Sequence, residues 1–311
     1  MREVVQAELL FEGESPPEPP RPTQIGQATV EYARTADILT KATGFMDAYD
    51  YTLNPYSGCS YGCTYCYAAF FSRTPEKRDT WGYWVRVKEN AIERLRKKHP
   101  AGSLNGKLIY MSSVTDPYQP VERKVKITKE LLEVLSSDHK PHLVVQTRSP
   151  DIVRDANLYR EIVENGGKVQ INMTVTTDDE EIRRQFEPYC PGNSRRLDAI
   201  GKMTEQGLQT CVTMTPLIWL NDPDTFAEQL VATGVKRFIS QPFHFNRGKF
   251  VAKTREGAFR LMAEKLACGL PEFRGKYLQR YEKWRSTLEK HMPPDSGLTL
   301  GQGKDGFSPP F

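Results

Sequence analysis

Short apolar segments recur along the middle of the chain, separated by stretches in which apolar residues follow helical spacing. Short apolar runs bounded by turn-forming residues are typical of buried strands. We predict strands at 107–112, 142–147, 168–175, 209–215 and 237–242, and intervening helices at 128–137, 151–165, 179–186, 194–206 and 223–232. Strands that are apolar on both faces and alternate with helices indicate parallel β/α units.

A strand leading into a cysteine-rich loop at residues 59–66 brings the count to six β/α units. Six is fewer than the eight units of a closed TIM barrel. We predict an α/β domain over residues 41–250, preceded by a proline-rich N-terminal extension over residues 1–40. Residues 251–311 predict C-terminal helices and an irregular tail. An aromatic stripe on the last helix (Tyr277, Tyr281 and Trp284) predicts packing against the domain.

Composition and charge exclude several classes of protein. The 311 residues, 38% of them hydrophobic, are enough for one substantial core. The formal charge of +4 is small for this length, so a nucleic-acid partner is only weakly supported. The sequence has no run of about 18 apolar residues that would span a membrane, and the N-terminus lacks the apolar stretch of a secretory signal. We therefore expect a cytoplasmic protein with no membrane partner.

Three cysteines, Cys59, Cys63 and Cys66, lie within eight positions at the spacing C-x3-C-x2-C. Thiolates are soft ligands that suit either zinc or an iron–sulfur cluster. A structural zinc site needs a fourth protein ligand, for which the remaining cysteines are Cys190, Cys211 and Cys268. None of these has a partner at ligand spacing. A cluster used only for electron transfer would also need a fourth protein ligand.

Short polar segments follow the predicted strands. In β/α barrels the reacting groups lie in the loops at the carboxyl ends of strands. The candidates are Ser112, Ser113, Thr115, Asp116 and Tyr118 after the second strand, Arg148 after the third, Thr174 at the end of the fourth and Thr215 at the end of the fifth. Several such segments at one rim, beside the cysteine loop, predict a single site.

The cysteine spacing, with Tyr65 directly before the third cysteine, resembles the signature of the radical S-adenosylmethionine (SAM) superfamily. The segments 54–59 and 115–120, together with Glu187-Pro and Arg196-Leu, are similar to its group of proteins related to spore photoproduct lyase. The resemblance implies a partial (β/α)6 TIM-type barrel, in agreement with the six predicted units. It also implies a [4Fe–4S] cluster on the three cysteines, with one iron left open for SAM.

The resemblance further implies the reaction and the roles of individual residues. One electron from a flavodoxin- or ferredoxin-type donor would cleave SAM, and the resulting 5′-deoxyadenosyl radical would abstract hydrogen from an unidentified organic substrate. By position, Ser112, Ser113, Thr115 and Asp116 would hold the SAM amino group, whereas Arg148 and Thr174 would lie near its carboxylate and ribose. Tyr65, Tyr67 and Thr215 are further candidates for cofactor binding. Glu187 and Arg196 would pair to brace a loop.

One departure from the resemblance concerns the return of hydrogen to the product radical. Photoproduct lyase uses a cysteine near the end of its second strand, where this chain has Met111, Ser112 and Ser113. Tyr118, another nearby tyrosine or 5′-deoxyadenosine would then return the hydrogen. Two alternatives remain: cleavage of the other SAM carbon–sulfur bond with transfer of a 3-amino-3-carboxypropyl group, and a metal-stabilised nucleic-acid-binding module without SAM chemistry.

Overall fold

The computed structural model describes residues 21–245 and 253–311, and these form two β-sheets with helices packed around them. The first twenty residues, which contain most of the proline-rich segment, lie outside the described residues. The strands are β1 (Gln24–Ile25), β2 (Ala28–Ala33), β3 (Leu39–Lys41), β4 (Tyr51–Leu53), β5 (Tyr56–Gly58), β6 (Trp84–Lys88), β7 (Leu108–Met111), β8 (His142–Thr147), β9 (Lys168–Thr174), β10 (Gln209–Met214), β11 (Arg237–Ser240) and β12 (Thr299–Gly301).

Helices alternate with most of these strands. The α-helices are α1 (Pro75–Asp79), α2 (Ala91–Lys98), α3 (Glu122–Val125), α4 (Ile127–Asp138), α5 (Ala156–Glu164), α6 (Glu180–Phe186), α7 (Asn193–Glu205), α8 (Pro223–Ala232), α9 (Glu256–Lys265), α10 (Leu270–His291) and α11 (Gly303–Gly306). Short 3₁₀ helices occur at Gly44–Met46, Tyr67–Phe71, Pro150–Asp155 and Pro294–Ser296. In this described part of the chain, no helix is both long enough and apolar enough to cross a bilayer.

The larger sheet has the strand order β12-β11-β10-β9-β8-β7-β4-β3. The strands β4 and β7 to β11 run parallel in chain order, which gives the six parallel strands that the sequence predicts and confirms the open α/β barrel. β12 adds another parallel strand beside β11, within the tail that the sequence analysis expected to be irregular. β3 pairs antiparallel with β4 at the other edge. The division into domains stays a prediction.

The two faces of the large sheet differ in polarity, which corrects the expectation of strands that are apolar on both faces. On one face, residues such as Ile109, Val145 and Ile171 belong to the main hydrophobic core, which also includes buried residues of the helices. The other face carries a polar network of Tyr110, Gln146, Asn172, Thr174 and Thr213. Paired residues on neighbouring parallel strands project from the same face, and the pairs Gln146–Asn172 and Thr174–Thr213 fit that rule.

The smaller sheet, in the order β1-β2-β6-β5, supports the start of the cysteine loop. β5 ends at Gly58, directly before Cys59, and pairs antiparallel with β6. Gly58 has a φ of +77°, and a Cβ added there would lie 2.6 Å from the Trp84 ring and 2.7 Å from the Trp84 carbonyl oxygen. The chain can therefore enter the loop at this angle only because the residue is glycine.

The C-terminal helix α10 packs against the barrel through its aromatic residues. Tyr277, Tyr281 and Trp284 are buried, which confirms the packing role predicted for this stripe. The Tyr277 hydroxyl donates to the Leu217 carbonyl oxygen at 2.5 Å and accepts from the Phe243 amide at 3.2 Å. These bonds hold α10 beside the carboxyl ends of β10 and β11, at the rim where the candidate residues lie.

We predict that Gly58→Ala lowers the free energy of unfolding by roughly 2–4 kcal/mol. The left-handed backbone costs an alanine about 1–2 kcal/mol, and the contact with Trp84 adds a similar amount because its carbonyl oxygen lies on a paired strand. Gly26→Ala is the matched control, since Gly26 also has a positive φ (+55°) but has nothing within 4 Å of the added Cβ. Urea unfolding should show that Gly26→Ala lowers the free energy of unfolding by only about 1–2 kcal/mol. An equal decrease in the two variants would refute the role of the Trp84 contact.

Candidate active site

The cysteine loop lies where β5 meets the residues that follow β7. The Ser60 amide donates to Gln119 Oε1 at 2.9 Å, and the Thr115 hydroxyl donates to the Gly58 carbonyl oxygen at 2.6 Å. Inside the loop, the Cys66 amide donates to the Cys63 carbonyl oxygen at 3.1 Å. These bonds fix the loop against the carboxyl end of β7, as the predicted position of the site requires.

The three cysteines of the loop are free thiols that lie near one another. Cys59 and Cys63 are buried and Cys66 is partly buried. Burial raises the pKa of Cys59 well above its usual value, with further increases from Asp116 and the other two thiols, and burial raises the pKa of Cys66 to about 11. The pKa of Cys63 is lowered, first by a hydrogen bond with Cys190 and then by the charge of Arg148. Three adjacent soft donors without a disulfide fit an iron–sulfur cluster.

A fourth cysteine touches this loop, and the sequence analysis considered it only as a zinc ligand. The Sγ atom of Cys190 lies 3.5 Å from that of Cys63. Among the described residues, no group of three or more His, Cys, Asp or Glu side chains surrounds a single metal-ion position. The contact joins residues 127 positions apart, so no local sequence pattern could have identified it.

Glu187 is a fully buried carboxylate that connects four parts of the site. It forms an ion pair with Arg196, which is also fully buried, and accepts from Arg148 Nη1 at 3.0 Å. The hydroxyls of Tyr65 and Thr176 donate to it at 2.5 and 2.7 Å. Although burial opposes ionisation, Arg196 and then Arg148, followed by these hydroxyls, lower the pKa of Glu187 to about 2. The predicted Glu187–Arg196 pair therefore forms.

Asp116 has its carboxylate oxygens engaged with the protein. Oδ1 accepts from the Tyr118 amide at 2.9 Å and from the Thr147 hydroxyl at 2.7 Å, and Oδ2 accepts from the Arg148 amide at 2.9 Å. Burial raises its pKa, although these bonds act in the opposite direction. Asp116 thus joins the ends of β7 and β8. Thr147, which the sequence analysis did not single out, is part of this connection.

The other predicted residues of the β7 loop have different surroundings. Ser112 is buried at a φ of +73°, and its hydroxyl has no hydrogen-bond partner among the described residues. Ser113 Oγ accepts weakly from the Asn54 amide group, at 3.4 Å, and the Ser113 carbonyl oxygen accepts from the Tyr67 hydroxyl. Ser112 is therefore the residue of this group whose buried side chain still lacks a partner.

Of the predicted residues Thr174 and Thr215, Thr174 lies on β9 and takes part in the polar network of the barrel. Thr174 and Thr213 share a hydrogen bond of 3.0 Å, and Gln146 Nε2 donates to both hydroxyls. Thr215 follows β10, is partly buried and precedes Pro216 through a cis peptide bond. The network residues Gln146 and Thr213 lie in polar segments at the predicted strand ends but were given no role, although the alternation of polar and apolar residues along the neighbouring β9 signals a polar face.

The Tyr118 side chain lies in a buried cluster with Tyr159 and Asp155, while the Tyr118 carbonyl oxygen accepts from the Tyr61 hydroxyl of the cysteine loop at 3.2 Å. The Tyr118 hydroxyl is 2.7 Å from the Tyr159 hydroxyl and donates to Asp155 Oδ2 at 3.1 Å, while the Arg154 guanidinium lies 5.6 Å from its ring centre. The side chain has no exposed surface. The hydrogen-returning role predicted for Tyr118 stays a prediction, and these contacts give it no support.

Comparison with known proteins assigns the family. A family model described as the radical SAM superfamily matches residues 53–228, and the chain belongs to this superfamily. It is 32% identical over 190 residues to the uncharacterised protein MJ0683 of Methanocaldococcus jannaschii, covering 61% of this chain and 67% of that protein. It is 28% identical over 264 residues to the uncharacterised protein Rv2578c of Mycobacterium tuberculosis, covering 78% of this chain and 73% of that protein.

Solved structures of spore photoproduct lyase share the fold. The complex with a dinucleoside spore photoproduct has a TM-score of 0.55 and 14% identity, with 88% of this chain and 81% of that chain covered. A variant with bound AdoMet and the same photoproduct has a TM-score of 0.54. The resemblance inferred from sequence is confirmed: the chain is a radical SAM enzyme, a family whose members use an iron–sulfur cluster and SAM. This replaces the alternative of a binding module without SAM chemistry.

We predict that Glu187→Gln lowers the free energy of unfolding by about 3 kcal/mol at pH 7, because it leaves the buried Arg196 without its counter-ion. A carboxyl whose pKa is lowered on folding stabilises the protein above its unfolded pKa, and that stability is lost as the pH falls through the folded pKa. The pKa of Glu187 changes from its ordinary value of 4.5 to about 2 on folding. The difference in the free energy of unfolding between the wild type and the variant should therefore narrow to about 1 kcal/mol at pH 3.

Urea unfolding curves measured between pH 7 and pH 3 test this expectation. The matched control is Asp198→Asn, which removes an exposed ion pair with Lys202 and should have no measurable effect, because such pairs are screened by solvent. A difference between the wild type and Glu187→Gln that stayed constant over this pH range would show that Glu187 is not ionised in the folded protein.

Proposed function

We propose that this enzyme binds a [4Fe–4S] cluster through Cys59, Cys63 and Cys66 and uses it to cleave SAM reductively. The observation that supports this most strongly is the set of three free thiols within eight positions of one loop, at the carboxyl end of the barrel, in a chain of the radical SAM superfamily. When bound, the cluster supplies the electron that yields a 5′-deoxyadenosyl radical, which abstracts hydrogen from an organic substrate. An electron donor of the flavodoxin or ferredoxin type would reduce it.

Arg148 is the residue that we propose for the SAM carboxylate. Its amide is fixed to Asp116 and its Nη1 donates to Tyr65 and Glu187. Among the described residues, the guanidinium bonds only through Nη1, so Nε and Nη2 keep donors for a carboxylate. Arginine binds carboxylates well through two parallel hydrogen bonds. The side chain is 15% exposed, enough for contact with a ligand.

Ser112 is the residue that we propose for the SAM amino group. Its buried hydroxyl has no hydrogen-bond partner within residues 21–245 and 253–311, and an unpaired buried polar group costs free energy that a ligand can offset. Thr115 and Asp116 are engaged with protein groups, so we assign them to positioning the loop. Thr174 and Thr215 stay candidates for the ribose side, and Tyr65 acts through its bonds to Arg148 and Glu187.

We predict that Cys66→Ala abolishes SAM cleavage, since it removes one of the three cluster ligands. Anaerobic reconstitution with iron and sulfide, incubation with SAM and dithionite, and chromatography of the products test this. The wild type should release 5′-deoxyadenosine. Cys268→Ala is the matched control, because Cys268 is also partly buried but lies between α9 and α10, and it should keep wild-type turnover.

Three other outcomes of this experiment would change the assignment. Methylthioadenosine would move the protein to transfer of a 3-amino-3-carboxypropyl group. Full cluster content and turnover in Cys66→Ala would refute the assignment of the ligands. Bound zinc with no SAM turnover by the wild type would make the cysteine loop structural.

We predict that Arg148→Lys weakens SAM binding about tenfold, since lysine keeps the charge near Glu187 but loses the two-donor geometry. Anaerobic equilibrium dialysis of SAM against reconstituted protein measures the dissociation constant. Arg154→Lys is the control, because Arg154 is a partly buried arginine that pairs with Glu122 and Asp155, near Tyr118. Unchanged SAM affinity in Arg148→Lys would remove Arg148 from the binding site.

A further inference from the structure

The contact between Cys63 and Cys190 has no role in the proposed reaction. Their Sγ atoms are 3.5 Å apart, and both residues are buried and free. The S–S bond of a disulfide is about 2.0 Å long, so the two sulfur atoms need to approach by about 1.5 Å to form one.

The two segments that carry these thiols are joined to each other at several points. The Thr64 amide donates to the Phe186 carbonyl oxygen at 2.8 Å, and the Tyr65 hydroxyl donates to Glu187. On the other side, Arg183 Nη1 donates to the carbonyl oxygens of Glu187 and Cys190 at 3.1 and 2.9 Å. The backbones on both sides of the sulfur contact are therefore fixed, which makes the contact a built feature of the site.

The 3.5 Å contact between the Cys63 and Cys190 sulfur atoms does not fit a role of Cys190 as a fourth ligand of the cluster. Each iron of a [4Fe–4S] cluster takes its thiolate at a separate corner, so ligand sulfurs on different irons do not touch each other. The open iron is also the one that SAM needs. Two thiols in direct contact suit a sulfur–sulfur bond instead.

We propose that Cys63 and Cys190 form a disulfide when the cluster is absent and hydrogen peroxide is present. One thiol reacts with peroxide to give a sulfenic acid and one water. The second thiol then attacks the sulfenic sulfur, forms the S–S bond and releases another water. The two thiols together lose two electrons and two protons, and peroxide is reduced to two waters. Peroxide is small enough to reach thiols that are almost fully buried.

The disulfide would remove Cys63 from the ligands of the cluster in a reversible way. A sulfenic acid without a thiol partner is oxidised further to sulfinic and sulfonic acids, and these are not recovered by ordinary thiols. Cys190 thus protects a ligand that has lost its iron. This consequence rests on the proposed cluster site, whereas formation of the disulfide does not.

The test uses the whole 311-residue chain, freed of iron by a chelator under argon, treated with one equivalent of hydrogen peroxide and then alkylated. Non-reducing proteolysis and mass spectrometry should find the Cys63 and Cys190 peptides linked, with two of the six thiols no longer alkylated. Iron incorporation after this treatment should fall at least fivefold and recover with dithiothreitol. In Cys190→Ser, untreated protein should load iron normally, but several equivalents of peroxide should oxidise Cys63 past the sulfenic acid to the sulfinic acid, with one further peroxide reduced to water at that step, and cause a loss that dithiothreitol does not reverse. The wild type treated with the same excess should recover with dithiothreitol.

Cys211→Ser is the matched control, since Cys211 is a buried thiol on β10 and its loss should leave the wild-type result unchanged. Full alkylation of Cys63 and Cys190 after peroxide, or a link between other cysteines, would overturn the proposal. Poor iron loading of untreated Cys190→Ser would make Cys190 a ligand and overturn it too. If the disulfide forms but iron loading is unaffected, the proposed role of Cys63 as a ligand fails while the disulfide itself stands.

Discussion

The buried charge of Glu187 is the constraint on which the geometry of the site depends. A carboxylate without solvent is stable only when it is paired and hydrogen-bonded, because desolvation of a charge is expensive. Glu187 meets this requirement with Arg196 on α7, Arg148 after β8, Thr176 after β9 and Tyr65 in the cysteine loop. Four separate parts of the chain must therefore be in place together for the carboxylate to be satisfied.

Within this arrangement, the cysteine loop is held from three directions. β5 and the Gly58 turn set the angle at which the chain enters, residues after β7 bond its first half, and Tyr65 ties its second half to Glu187. Metal-binding residues on a loop gain precision when neighbouring groups lock their positions. The spacing of the cysteines supplies the donors, but these distant contacts decide where the donors lie.

The parts that the sequence predicts well are those with a local signal. The six parallel strands follow from apolar runs, and the cysteine loop follows from its spacing. The polar face of the barrel was not predicted, although β9 carries a signal for it by alternating Gln170, Asn172 and Thr174 with apolar residues. The contact of Cys190 with Cys63 and the three bonds to Asp116 depend on tertiary folding alone. For Asp116, the role in holding the SAM amino group that its position along the chain suggested stays a prediction, and its bonds to the ends of β7 and β8 are what the structure adds.

The two buried carboxylates act on the same arginine from opposite ends. Asp116 accepts from the Arg148 backbone amide, and Glu187 and Tyr65 engage its Nη1. A long side chain that is free to rotate loses conformational entropy when it binds a ligand, but Arg148 has already lost most of that freedom on folding. Its remaining donors therefore have a defined direction before any ligand arrives. In the complex that we propose, the two carboxylates would contribute to SAM binding by orienting the Arg148 guanidinium, without needing to touch the bound molecule.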